Sequence, residues 1–448
     1  MNRQFFGTDG IRGAYGGPVI HEAFFARLGA AAGQWAGGKG SVVIGWDTRF
    51  SGEALAQAAA AGFKSAGLSV RFLGVLPTPA VARATRASGA ALGVVVTASH
   101  NPSSDNGIKF FKTDGRKLTD DEEGQIELLM KESGSNFLTE VKKLEPDPFA
   151  ASAFDDYVAA TQAILPPQAL RGWRIALDTA NGATCATSPE VLRRLGAEVF
   201  AIGAAPDGRN INEEVGSEHP ARLSAEVRSA GAKLGVAHDG DGDRCILCDE
   251  RGEILDGDEI LTLLAVHALG RGALAARTLV VTVQSNLGVD AAVAAAGGGG
   301  GGGVARTAVG DRYVVERMLA EGATLGGESS GHIVFSEISP TGDGLVAALK
   351  VIEVMQATGR PLSELRRGLA KFPQASESVK VREKKPLADM PALSAALRAL
   401  ESELGSQGRV LVRYSGTEPK LRLLVEAPTE DIARGGLSRL KAAVSADG

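Results

Sequence analysis

The chain has 448 residues, 44% of them hydrophobic and 23% charged, with a net charge of −5. That length predicts several domains, each with its own core, and the acidic balance excludes the general basic field on which a nucleic-acid binder relies. No apolar run reaches membrane-spanning length and the N-terminus lacks the basic-then-apolar layout of a secretion signal; three cysteines cannot all pair, which suits a reducing cytoplasm.

The chain opens on Phe6-Gly7-Thr8-Asp9-Gly10-Ile11-Arg12-Gly13, where glycines around Arg12 predict a tight loop reaching a site. Ser41-Val-Val-Ile-Gly reads as a strand, Glu53 to Gly67 as an Ala-rich helix, and Ala91-Leu-Gly-Val-Val-Val as a buried strand ending at Thr97. Thr97-Ala98-Ser99-His100-Asn101-Pro102 follows at once. Ser99 therefore sits on a loop at a strand's carboxyl end, a place suited to a nucleophile or a phosphate carrier; the same residues also make an ordinary turn. The lack of a G-x-S-x-G elbow argues against a Ser–His hydrolase. His100 either orients a phosphate or caps the loop. Lys109, in Gly107-Ile-Lys-Phe-Phe, is costly to bury without a partner; it faces a phosphate, shuttles a proton, or points to solvent.

The strand–helix rhythm restarts at Trp173-Arg-Ile-Ala-Leu-Asp and again at Arg277-Thr-Leu-Val-Val-Thr-Val. Between them lies Asp239-Gly240-Asp241-Gly242-Asp243-Arg244. Three carboxylates crowded on one short turn repel each other unless a cation sits among them, and oxygen-only ligands favour Mg²⁺ or Ca²⁺. An EF-hand shares the acidic spacing and has Glu250 at its twelfth position, but Arg244 stands where that loop needs glycine, and the flanks read as strands. Cys245-x-x-Cys248 falls on one of those strands, where residues three apart face opposite sides, so it reads as packing rather than as a redox or zinc pair. Gly297 to Gly303 is an unbroken glycine run, expected as a flexible surface loop.

Gly327-Glu328-Ser329-Ser330-Gly331-His332 precedes the apolar Ile333-Val-Phe. Glu328 and Ser330 alternate, so both can point the same way and hold sugar hydroxyls. His332 either transfers protons near neutral pH or is structural. Arg413-Tyr414-Ser415-Gly416-Thr417-Glu418-Pro419 follows the strand-like Gly408-Arg-Val-Leu-Val. A guanidinium, two hydroxyls and free backbone N–H groups on one turn match a phosphate dianion, with Arg422 adding charge; a plain β-turn with an exposed arginine is the other reading.

Candidate linkers at Lys143 to Pro148, around Gly252 and at Lys371-Phe-Pro-Gln divide the chain into 1–150, 151–252, 253–370 and 371–448. The expected class is α/β: three similar α/β domains with mixed, mostly parallel sheets, then a smaller C-terminal α+β domain.

These motifs, in this order, closely resemble the α-D-phosphohexomutase superfamily, and the likeness covers nearly the whole chain. The resemblance implies four domains around a central cleft, with Ser99 as the phosphoserine. Mg²⁺ is then held by Asp239, Asp241 and Asp243 together with a phosphoryl oxygen on Ser99. Glu328 and Ser330 recognise the sugar, and Arg413, Ser415, Gly416 and Thr417 hold the non-reacting phosphate. Lys109 and His332 match positions of proton transfer, Arg244 and Arg12 meet the reacting phosphate, and His100 stands beside Ser99. The implied activity is that of an isomerase. It moves phosphate between C6 and C1 of glucosamine through a 1,6-bisphosphate, with the glucose or glucosamine 1,6-bisphosphate as primer, and so supplies amino-sugar nucleotide for the cell wall. Ser329 departs from the Gln common in amino-sugar members and from the Met of hexose members. This keeps glucose and mannose phosphates open as alternative substrates, followed by a Mg²⁺-dependent phosphatase and a non-catalytic sugar-phosphate binder. The expected setting is the cytoplasm, with a small sugar phosphate as partner, no nucleic acid, no membrane, and at most a second copy of the chain as a homodimer.

Overall fold

The computed structural model describes residues 3–132, 147–298, 301–414 and 420–447. Its first strands are β1 (Ile11–Ala14), β2 (Ser41–Trp46), β3 (Ser69–Val75), β4 (Leu92–Val96) and β5 (Asp105–Lys112). They form a five-stranded sheet in the order β1-β5-β4-β2-β3. β2 pairs in parallel with β3 and β4, while β5 runs antiparallel to β4 and β1. β4 is buried along its whole length, as its continuous apolar run requires of a strand covered on both faces.

The same plan recurs. β6 (Arg174–Asp178), β7 (Glu198–Ile202), β8 (Leu234–His238), β9 (Cys245–Asp249) and β10 (Ile254–Leu255) pair in the order β10-β9-β8-β6-β7. β11 (Thr278–Thr282), β12 (Gly303–Thr307), β13 (Leu325–Gly327) and β14 (Ile333–Phe335) pair in the order β12-β11-β13-β14. In all three sheets the pairs made by the first long strand are parallel, and the turn-back strand is antiparallel. The loops between equivalent strands, β4–β5, β8–β9 and β13–β14, carry Ser99, the aspartate triplet and Glu328 to His332 respectively. The last strands, β15 (Gln374–Lys380), β16 (Arg409–Tyr414) and β17 (Lys420–Glu426), form a wholly antiparallel sheet in the order β15-β17-β16. This is the smaller α+β unit.

One apolar core runs through the first three units, joining Val43, Leu177 and Val281, while the C-terminal unit has a core of its own around Leu393, Leu421 and Leu440. The helix Pro148–Gln162, capped by Asp147, knits the larger core: Tyr157 is buried and its hydroxyl donates to Asp343 Oδ1 at 3.0 Å. Only Asp147 and Pro148 of the expected linker fall near its start; residues 143–146 lie outside the described residues. The glycine run departs from the expectation of a loop throughout. Gly297 closes the helix Gly288–Gly297 and Gly303 opens β12, while residues 299 and 300 lie outside the described residues. The Gly297 carbonyl accepts from Arg277 Nη2 at 2.8 Å, which ties this end of the helix. Among the described residues, no helix is long and apolar enough to cross a membrane.

Helices Glu22–Trp35 and Gly52–Ser65 pack through small residues on the outer face of the first sheet. A Cβ on Gly62 would stand 2.0 Å from the Ala26 carbonyl oxygen and 2.6 Å from the Ala30 nitrogen. Both obstacles are backbone, so the helices themselves must part. Gly62→Ala should destabilise the protein by about 1–3 kcal/mol despite the better helix propensity of alanine; chemical denaturation measures this, and an unchanged midpoint would show that the helices separate freely.

Candidate active site

The β8–β9 hairpin places Asp239, Asp241 and Asp243 on a six-residue connection, and all three are buried. One carboxylate oxygen from each lies within 4.8 Å of the others. Gly240 lets this loop reach the first unit, because a Cβ there would meet the Ser99 carbonyl oxygen at 2.5 Å. Ser99 is buried on the β4–β5 loop, and its hydroxyl donates to Asp239 Oδ2 at 2.5 Å. The serine and the acid triplet, 140 residues apart, therefore form one site. The flanks of the acidic loop are strands, as expected. Glu250 turns away to accept from the backbone N–H and hydroxyl of Ser363, and Cys245 and Cys248 are free thiols packed into different cores.

Lys109 on β5 is buried, not solvent-facing. Its ammonium group lies 2.8 Å from Asp241 Oδ2, 3.0 Å from Asp243 Oδ2 and 2.9 Å from Asp9 Oδ2. Burial alone would favour the neutral amine, but these three carboxylates outweigh it and hold the amine well above its usual range. His332 closes the other side, with Nε2 at 3.1 Å from Asp311 Oδ2 and Nδ1 at 3.6 Å from Asp243 Oδ1. Burial opposes its charge as well, yet Asp311 and Asp243 raise its pKa to about 10. Asp239 goes the opposite way: burial and its two aspartate neighbours push its carboxyl well up.

Arg244 follows the triplet, with its backbone N–H donating to Asp239 Oδ1 at 3.2 Å and its guanidinium to Glu218 at 3.2 Å. Arg12 on β1 pairs with Asp9, and its buried Nε has no partner. His100 lies beside the serine, Nδ1 at 3.4 Å from Ser99 Oγ; burial, with Arg244 and Arg12 nearby, lowers its pKa to about 3. Glu328 accepts from the Gly310 N–H at 3.0 Å, and burial raises its carboxyl. A cavity of about 280 Å³ is lined by Asp9, Arg12, His100, Asp243, Arg244, Glu328 and His332 among others. Ser330 is half-buried on the same turn as Glu328 and does not line it. Arg413 lines a second cavity, of about 340 Å³, with Arg422, Ser376, Ser378 and Gln284, and its buried Nη2 has no partner. Ser415, Gly416 and Thr417 lie outside the described residues.

Several residues join the site that motif reading did not assign. Asp9 and Asp311 are bridged by Lys117, whose ammonium is 2.5 Å from each; Asp9 lies in the opening glycine-flanked motif, which was the available signal. Thr78 donates its hydroxyl to Asp241 Oδ2 at 2.7 Å and its N–H to the Asp241 carbonyl at 2.8 Å. Nothing in its local sequence marks it.

The donor set fits a hard divalent cation. The oxygens are all carboxylate and all buried, and the Asp241 and Asp243 Oδ1 atoms have no hydrogen-bond partner. An orphaned buried carboxylate oxygen is costly unless a cation meets it.

The comparisons agree along the chain. The family models for phosphoglucomutase/phosphomannomutase match in sequence: alpha/beta/alpha domain I at residues 3–136, domain II at 154–252, domain III at 256–372 and the C-terminal domain at 378–442. Among curated relatives, the phosphoglucosamine mutase of Thioalkalivibrio sulfidiphilus is 47% identical over 444 residues and that of Anaeromyxobacter dehalogenans 46% over 447, each match covering 97% of both chains. Among solved structures, a phosphoglucomutase/phosphomannomutase family protein from Burkholderia thailandensis matches with a TM-score of 0.79 at 23% identity, covering 98% of this chain and 97% of that one. Aspergillus fumigatus N-acetylphosphoglucosamine mutase, solved in complex with GlcNAc-6P and magnesium, matches with a TM-score of 0.66 at 19% identity, covering 100% and 96%. Both likenesses are of fold.

Lys109 sits where it neutralises the acid cluster, so its loss has a specific signature. Lys109→Met should cost about 3–5 kcal/mol in a chelating buffer, because buried carboxylates lose their counter-charge. Added Mg²⁺ should then raise the melting temperature of the variant more than that of the wild type. An equal rise in both would mean that the cation is held elsewhere.

Proposed function

The chain belongs to the phosphoglucomutase/phosphomannomutase family, and from that premise we propose that it interconverts glucosamine-6-phosphate and glucosamine-1-phosphate. The full-length relatives at 44–47% identity, each named phosphoglucosamine mutase, support the amino sugar. The observation that carries the chemistry is the Ser99 hydroxyl held 2.5 Å from Asp239, within a buried acid triplet.

Ser99 serves as the phosphoryl carrier. A phosphorylated Ser99 donates to the free hydroxyl of the substrate and gives a 1,6-bisphosphate; that molecule reverses within the cleft, and Ser99 accepts the other phosphate. A 1,6-bisphosphate of glucose or glucosamine primes an unphosphorylated serine. Asp239, Asp241 and Asp243 hold Mg²⁺, which when bound offsets charge on the transferring phosphoryl group. Arg244 and Arg12 line the same cavity and bind phosphate oxygens from the opposite side. The attacking hydroxyl gives up its proton to a base drawn from Lys109 and His332, and that proton returns to the Ser99 oxygen as the phosphoryl group leaves it. Glu328 binds sugar hydroxyls from the cavity wall, with Ser330 beside it. Arg413 and the loop that follows hold the phosphate that is not reacting. The domains carrying these parts are 1–150, 151–252, 253–370 and 371–448.

Ser99→Ala should lower turnover by ~10⁴-fold or more, as loss of a covalent carrier does, and intact-mass measurement should find one phosphoryl group on the wild type and none on the variant. Faster turnover of mannose or glucose phosphates than of glucosamine-6-phosphate would reject the amino-sugar assignment; net phosphate release without a bisphosphate requirement would indicate a phosphatase.

Arg413→Ala should raise KM and lower kcat together, by ~10-fold or more in kcat/KM, because one guanidinium both binds phosphate and draws the C-terminal unit onto the site. Steady-state kinetics matching the wild type would remove Arg413 from the site.

A further inference from the structure

We propose that Arg49 and Asn212 are positioning residues for Ser99, gripping its carbonyl oxygen from two units of the fold so that its hydroxyl stays aimed at Asp239. The inference rests on the assignment of Ser99 as phosphoryl carrier and adds residues that touch neither substrate nor cation: neither lines the cavity beside the triplet.

Ser99 has φ of +53°, in the left-handed region that a residue with a Cβ rarely adopts. Such a conformation persists only where its surroundings over-determine it. Here both of its peptide groups are tied. The Ser99 N–H donates to Thr97 Oγ1 at 2.9 Å, and Thr97 donates in turn to Asp47 Oδ2 at 2.6 Å. The Ser99 carbonyl accepts from Arg49 Nη2 at 3.0 Å and from Asn212 Nδ2 at 2.8 Å.

Arg49 is only 2% exposed, and all five of its N–H donors are spent. Nε donates to Asp47 Oδ2 at 2.9 Å. Nη1 donates to the carbonyls of Pro102 and, at 3.0 Å, Asp105. Nη2 donates to those of Ser99 and, at 2.7 Å, Asn101. Four of the five thus fall on backbone oxygens between Ser99 and Asp105, where the serine loop runs into β5. That is a rigid planar fork matched to a curled loop, which a lysine ammonium cannot reproduce. Asn212 repeats the grip from the second unit, its amide also donating to the Asn101 carbonyl at 2.9 Å. Because Asn212 belongs to the unit that carries the triplet, the serine loop is held relative to the acids and not merely within its own domain.

A grip of this kind acts on the chemical step and not on substrate affinity. Misplacing a reacting group by about 1 Å costs ~10²-fold in rate. The test uses the full chain with Mg²⁺, glucosamine-6-phosphate and glucose 1,6-bisphosphate, comparing wild type, Arg49→Lys and Asn212→Ala. Each variant should lose ~10–100-fold in kcat with KM within about 3-fold of wild type. The rate at which the bisphosphate loads a phosphoryl group onto Ser99, followed by intact mass, should fall by the same factor. A folded Arg49→Lys with wild-type kcat and loading rate, or with its loss confined to KM, overturns the proposal. If Arg49→Lys does not fold, Asn212→Ala decides alone, and wild-type loading in that variant overturns it equally. The wild-type arm separates the two readings: no phosphoryl group on wild-type Ser99 defeats the carrier assignment itself, whereas normal wild-type loading with unaffected variants defeats only the grip.

Discussion

Three carboxylates buried within one small turn are an electrostatic debt that the fold must settle, and the remainder of the site follows from how it does so. Removing each from water costs several kcal/mol even after relaxation, and their mutual repulsion adds to that. The same turn supplies one opposite charge, Arg244 beside Asp239 and Asp243, which leaves most of the neutralising charge to come from elsewhere. It comes from neighbours: Lys109 from the first unit, His332 from the third and Thr78 as a neutral donor from a helix start. The site is an interdomain structure because its charge has no solution inside one domain.

The repeated sheet plan is what makes that convergence cheap. Three units share one strand order, and in each the link between the third and fourth long strands carries the functional motif. Loops at equivalent places of three packed sheets meet at one point without any long excursion. They are stitched by backbone bonds between units: Thr78 N–H to the Asp241 carbonyl, Cys245 N–H to the Gly331 carbonyl, and Gly344 N–H to the Gly242 carbonyl. The apolar core that runs through all three units holds these loops at fixed separation, so a hydrogen bond of 2.5 Å between Ser99 and Asp239 can be a built feature and not an accident of docking.

This division of labour also explains what a reader of the residues alone can and cannot see. Alternating aspartates and glycines announce a cation site within six residues, and a serine just after a buried strand announces a loop at a sheet's edge. The α/β class follows from apolar runs of the same local kind, whereas the strand order is set only by which strands meet in the folded sheet. Lys109 is ambiguous locally, since an apolar strand does not say which residues will cover it; only the approach of Asp9, Asp241 and Asp243 settles its charge. Lys117, Thr78, Arg49 and Asn212 are invisible for the same reason. Their partners lie tens to hundreds of residues away, and no periodicity encodes an encounter between loops of different units. Glu328 and Ser330 show the limit of strand-alternation arguments: a turn, not a strand, joins them, and only Glu328 reaches the cavity.

The C-terminal unit stands apart in a way that bears on how the cleft works. Its core is separate from the one shared by the other three, so its position is set by surface contacts. One is the bond from Arg409 Nη2 to the Ser285 carbonyl at 2.8 Å; another is the clasp of Asn286 on the backbone of Phe372. On its exposed sheet face Arg413 lies directly opposite Arg422 in the antiparallel register. Like charges in that arrangement oppose folding by about 0.2–1 kcal/mol, and burial together with Arg422 already lowers the pKa of Arg413. An anion between them removes the repulsion. On the proposed reading, relief of this pair by the non-reacting phosphate couples phosphate binding to the approach of the C-terminal unit, which is what a hook serving both ends of a reversing bisphosphate has to provide.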